Sequence, residues 1–201
     1  MTGLGLVTPA GSGVEENWAT LREGVSRAAA DHTLAGFPVD FTCRVPGFAP
    51  EHLLGGLKAR VLERFVQLAV VAARQARTAA GWDGDGWDAG RVGVVLGNSL
   101  GGAGALERQH EALVADGPAG VSPLTVPMYM VNMVAGYVAI ELGAKGPSLV
   151  TATACASGAT ALGVARDLLR SGACDVVLAG GTESALTPVV IAGLAKMGAL
   201  S

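Results

Sequence analysis

The sequence predicts an α/β fold, a wound mixed sheet with helices on both faces, and three observations carry that reading. RVGVVLG at 91–97 and CDVVLAGG at 174–181 are short, unbroken apolar runs, the pattern of strands covered on both faces. Between such runs lie segments whose apolar residues recur at three- and four-residue steps, the period of a helix. The two kinds alternate along the chain, which points to layered packing. The 201 residues suffice for one large domain or for part of a larger one. With 50% apolar residues, 4% aromatics and 30 glycines, the core is built from Ala, Gly and Val, and its helices approach closely.

In chain order, TGLGLVT at 2–8 reads as a short strand, and GSGVEENWATLREG as a capped amphipathic helix starting near Ser12 or Gly13. Residues 32–56, punctuated by Pro38, Pro46 and Pro50, read as a loop or β-hairpin insertion. From Lys58 to Ala80 a single helix is expected, with Val61, Phe65, Leu68, Ala72 and Ala76 on its apolar stripe. GWDGDGWDAG is a surface turn, RVGVVLG a central strand, and about 102–116 a helix. A Pro-bounded loop then precedes a helix over 127–143. GPSLVTAT is expected to be a buried strand, Ala156 to Ser171 a helix, CDVVLAGG a strand, and the tail from Thr187 helical.

Several function classes are disfavoured at once. A net charge of −3 with no basic run offers nothing to neutralise a phosphate backbone, so no nucleic-acid partner is expected. No stretch supplies the roughly 18 uninterrupted apolar residues of a membrane span, and the first residues lack the basic start of a secretion signal. Cys43, Cys155 and Cys174 are odd in number and widely spaced, which suggests free thiols in a reducing cytoplasm. His32, His52 and His110 show no ligand spacing, so no metal is expected. Gly3 and Gly5 lack the third glycine and the helix of a dinucleotide fingerprint, and no cofactor is expected.

Two residues compete as nucleophiles. Ser99 sits in G-x-S-x-G straight after a strand, as in a hydrolase elbow. That mechanism needs a distant acid and histidine later in the chain; the only later histidine, His110, lies on the very next helix, so the serine is disfavoured. Cys155, in LVTATACASGA, falls where a strand turns into a helix. Free N–H groups and the positive end of the helix dipole meet there and favour the thiolate. Small neighbours (Ala154, Ala156, Ser157 and Gly158) leave room around the sulfur, whereas Cys43 and Cys174 read as ordinary small hydrophobes. Cys155 is therefore expected to react with iodoacetamide ahead of the other two.

MTGLGLVTPAG, GNSLGGAG, VNMVAG with its following GPS, TATACASGATALG, GACDVVLAGGTES and MGALS, in that order, resemble the β-ketoacyl synthases of fatty-acid and polyketide assembly. The resemblance covers the whole chain and implies a thiolase-like fold, of which this would be the first half. It implies that Cys155 takes an acyl group from acyl carrier protein as a thioester, with its own N–H in the oxyanion hole. Leu100 would border the acyl pocket as a gate, and Thr125 would lie beside it. The GPSLVTAT strand would pair across the axis of a homo- or heterodimer. The reaction implied is a decarboxylative Claisen condensation with a malonyl thioester. The family's chain-length factors lack the cysteine, so Cys155 argues against that class.

The two histidines and the lysine that assist in this family belong to its second half. The chain is expected to need that C-terminal half as a partner and to be inactive or prone to associate alone. The rival expectation is a non-catalytic dimerising scaffold.

Overall fold

The structure, a computed structural model, describes residues 1–82 and 86–200. β1 (Val7–Thr8) and β2 (Gly11–Ser12) form a tight antiparallel pair that leads into α1 (Val14–Glu23). β3 (Ala29–Ala30) pairs antiparallel with β4 (Phe41–Thr42), followed by α2 (Pro50–Leu54), α3 (Gly56–Val61) and α4 (Arg64–Ala79). Next come β5 (Val92–Gly97), α5 (Ala103–Asp116), α6 (Thr125–Tyr129) and α7 (Met133–Leu142). The chain continues through β6 (Ser148–Thr151), α8 (Ser157–Arg170), β7 (Val176–Gly181) and α9 (Pro188–Lys196).

β5 is the centre of a parallel sheet in the order β6-β5-β7, and all six of its residues are buried. Val94 and Leu96 join the cluster formed by Phe65, Val66 and Val70 of α4 with Val134 and Val138 of α7. Val95 belongs to the opposite face, with Ala161 and Ala165 of α8. The sheet is thus covered by helices on both faces. Each fully buried Val, Leu or Phe contributes about 1.5–3 kcal/mol by leaving water. Among the described residues, antiparallel pairing is confined to the two short ladders near the N-terminus.

The expected strand over 2–8 shrinks to Val7–Thr8. Residues before it lie along α4: Leu6 N–H donates to Gln75 Oε1 (3.0 Å), and a Cβ on Gly5 would meet Ala72 O at 1.9 Å. Main chain this close to a helix backbone needs glycine, and among the described residues no strand pairs with it. α1 starts as expected at Gly13, with Glu16 accepting the Ser12 N–H (2.8 Å). Its amphipathic pattern is turned inside out: Asn17 and Thr20 are buried while Trp18 and Leu21 face solvent. Asn17 faces inward because its amide closes the β1–β2 turn, donating to Gly11 O (2.9 Å) and Gly13 O (2.7 Å).

Two expected helices are each broken. The helix over 58–80 is α3 and α4, separated by extended backbone at Leu62 and Glu63; Gln67 Nε2 bridges the break to Ala59 O (3.0 Å) and Leu62 O (2.8 Å). The helix over 127–143 is α6 and α7, parted at Met130–Asn132. Apolar periodicity runs across both breaks, so pattern alone joins them. Pro50, read as a breaker, is the first residue of α2, where its missing N–H costs nothing. The strand at 148–151 is an edge, not a buried strand, and Leu149 is 43% exposed. Part of the expected turn at 81–90, namely 83–85, lies outside the described residues.

Buried Asp31 organises the insertion. It accepts from Arg44 Nε (2.6 Å), from the hydroxyls of Thr33 (2.6 Å) and Thr42 (2.9 Å), and from Thr33 N–H (3.1 Å). The Arg44 bond, then Thr33, hold its carboxyl far below the usual carboxylate range against the opposing effect of burial. A folded pKa below the unfolded one means stability present above the unfolded value, about 3.9, and lost as pH falls through the folded one. Asp31→Asn is expected to lower stability by about 1–2 kcal/mol at neutral pH, the range of a charged hydrogen bond partly open to solvent. The gap between the urea midpoints of the two proteins should begin to narrow only below about pH 4 and close as pH approaches the folded value; a gap independent of pH would contradict the ionised pair. Glu141 of α7 forms a comparable clamp. Burial pushes its carboxyl up, but Arg74 and Lys58 (each 2.6 Å away) outweigh burial, and the net direction is down.

Candidate active site

Cys155 is the middle residue of one 3-10 turn, Ala154–Ala156, wedged between the end of β6 and the first residue of α8. Its neighbour Ala154 has φ +51°, the one positive φ outside glycine among the described residues. An L-residue in this region is strained, and the surrounding bonds keep it there. Buried Ser157 donates its hydroxyl proton to Ala154 O (2.6 Å) and accepts from Thr153 N–H (2.9 Å). Thr151 donates to Ser157 O (2.8 Å), and the Thr153 and Thr160 hydroxyls bond each other (2.8 Å). From the sequence Ser157 reads only as a small neighbour; its position two residues after the cysteine is the one signal of this role.

Three glycines seat this turn on the sheet. A Cβ on Gly97, at the end of β5, would lie 2.2 Å from the Ser157 carbonyl carbon and 2.4 Å from Gly158 N. A Cβ on Gly181, at the end of β7, would come within 2.9 Å of Gly158 Cα. The start of α8 therefore rests directly on two strand ends, backbone against backbone, and Cys155 is lifted to the surface. Cys43 is also exposed, whereas Cys174 is buried beside Gly93.

After β5 the chain turns through Asn98, Ser99, Leu100 and Gly101 into α5. Ser99 and Leu100 are exposed, and their N–H groups both point to Glu183. Gly101 and Gly102 lie against the backbone of Met128 and Tyr129 at the end of α6. Thr125 opens that helix, its hydroxyl donating to Ser122 O (2.6 Å), with Gln109 Oε1 at 3.1 Å. Leu100 and Thr125 thus belong to two segments in backbone contact. The three histidines lie apart, exposed on α2, on α5 and in the insertion. A cavity of about 480 Å³ lies near the N-terminus, lined by Arg27, Asp31 and Arg44 among others. Two charge pairs are already made at its wall, Arg44 with Asp31 and Arg27 with Glu23. Among the described residues no group of three His, Cys, Asp or Glu is placed to hold a metal, and no helix is long and apolar enough to cross a membrane.

A parallel sheet between two helical layers, with a cysteine raised at a strand-to-helix elbow, defines a class of α/β protein. The chain belongs to the β-ketoacyl synthase family: the family's N-terminal domain profile matches residues 1–201. It is 36% identical over 203 residues to a 3-oxoacyl-[acyl-carrier-protein] synthase 2 of Vibrio cholerae, and 38% over 205 residues to one of Synechocystis. Each match takes in 100% of this chain and 49% of the relative, so the chain spans about half their length. Among solved structures, the ishigamide ketosynthase/chain length factor superposes with a TM-score of 0.90 at 30% identity. It is matched over 100% of this chain and 51% of that one. A β-ketoacyl synthase from Burkholderia phymatum gives 0.86 at 29%, with 100% and 50% covered. The thiolase-like fold expected from sequence is thereby shown.

Proposed function

We propose that this chain is the N-terminal half of a 3-oxoacyl-acyl-carrier-protein synthase and that Cys155 carries the acyl group. The observation supporting this most directly is the exposed thiol on its strained turn at the start of α8. Cys155 Sγ attacks a thioester carbonyl carbon; a new C–S bond forms, the bond to the carrier sulfur breaks, and the carrier leaves as a thiol with the proton. The carbonyl oxygen becomes an oxyanion, which the Cys155 N–H faces in this reading. A malonyl thioester then loses carbon dioxide. The electron pair released makes an enolate, whose carbon displaces Cys155 from the acyl carbonyl. Leu100 and Thr125 border the acyl chain.

Acyl carrier protein is the proposed donor, in keeping with the names of the relatives, and a C-terminal ketosynthase half completes the site. A dimer through β6 is supported by that strand's open edge, on which Leu149 is exposed. Three unpaired cysteines suit a cytoplasmic location.

Chain and C-terminal half, co-purified and given acyl- and malonyl-carrier thioesters, are expected to release carbon dioxide and a 3-oxoacyl thioester. The chain alone should yield neither. Release of no product by the completed pair would favour the scaffold instead.

A further inference from the structure

Four donors converge on one carboxylate just beyond β7. Glu183 Oε2 accepts Ser99 N–H (3.1 Å) and Leu100 N–H (3.0 Å), while Oε1 accepts Ser184 N–H (3.1 Å) with Asn98 Nδ2 at 3.4 Å. Two consecutive N–H groups on a single charged oxygen fix the peptide planes on both sides of Ser99. Asn98, 1% exposed, secures the turn from within. Its Oδ1 accepts Gly101 N–H (2.7 Å) and its Nδ2 donates to Thr182 O (2.8 Å). Thr182 in turn bonds Gly97 O through its N–H (3.0 Å) and Phe65 O through its hydroxyl (2.8 Å). The Leu100 side chain has no comparable anchor, being 48% exposed. Its place is set through the main chain, and the main chain there is held by Glu183.

We propose that Glu183 is a positioning residue: its carboxylate sets where Leu100 stands, and so which acyl lengths reach Cys155. This rests on the reading that Leu100 borders the acyl chain. Position 183 thereby carries specificity without touching substrate.

The test has two arms. In the chain alone, Glu183→Gln keeps the shape of the side chain but replaces one acceptor oxygen with an NH2 group. Amide hydrogen exchange at Ser99 and Leu100 should accelerate by about tenfold, with Val94 and Val95 unchanged. In the chain combined with its C-terminal half, Cys155 acylation by butanoyl and decanoyl N-acetylcysteamine thioesters is followed by intact mass. The ratio of the two rates should shift by about fivefold in Glu183→Gln and in Leu100→Ala, in the same direction. General loss of stability would scale both rates alike, so the ratio separates positioning from mere folding. Unchanged exchange in Glu183→Gln overturns the inference. So does a ratio that moves in Leu100→Ala but not in Glu183→Gln, and that result leaves the functional reading intact. A ratio flat in both variants overturns the placement of Leu100 and the inference with it. No acylation of the unaltered pair overturns the nucleophile itself.

Discussion

Cys155→Ala is expected to abolish transfer of an acyl group to this protein, lowering thioester formation by more than about 10³-fold, because it removes the atom to which the bond is made. The fold should be unaffected. The thiol is exposed, the substituted Ala keeps the backbone of its neighbours, and surface changes of this kind shift stability by about 0.5 kcal/mol or less. Intact mass after incubation with an acyl thioester reads the result directly, and peptide mapping should place the adduct on residue 155. An adduct that persists in Cys155→Ala at the unaltered rate would mean that another group is acylated. Cys43, the other exposed thiol, would be the first to inspect.

The second large effect concerns packing. Gly97→Ala would put a methyl carbon 2.2 Å from the Ser157 carbonyl carbon and 2.4 Å from Gly158 N. These are backbone atoms, which cannot rotate aside, so α8 must lift from the sheet. Overpacking costs about 1–3 kcal/mol where side chains can adjust; here about 3 kcal/mol or more is expected, with a proportionate fall in urea midpoint. Gly163→Ala is the control. It lies within α8 with open space around its Cβ position, and should stabilise the helix by about 0.5–1 kcal/mol. Equal midpoints for Gly97→Ala and the unaltered protein would contradict the seating of α8 on β5.

These two expectations also mark what could be read in advance. Val92–Gly97 was legible as the central strand because an unbroken apolar run has few other homes, and the place of Cys155 between a strand and a helix was legible from the segments on either side of it. The breaks at Leu62–Glu63 and Met130–Asn132 were not, because buried Leu62 continues the apolar rhythm while its backbone has left the helix. Asn17 and Glu183 were missed for a related reason. A polar side chain that closes a distant turn leaves no periodic trace, and its partners become visible only once Glu183 stands beside Ser99, 84 residues away. Gly97 could be suspected from its motif, but whether that glycine served a serine elbow or a helix contact depended on what lay above it.

The left-handed backbone at Ala154 carries a consequence for how this region can vary. A saturation library at that codon, selected for folded protein, should be dominated by glycine, asparagine and aspartate, with valine, isoleucine and threonine purged. A chemically assembled chain bearing the mirror-image alanine at this position should match or exceed the natural one in stability, since for that enantiomer the same dihedral is the relaxed choice.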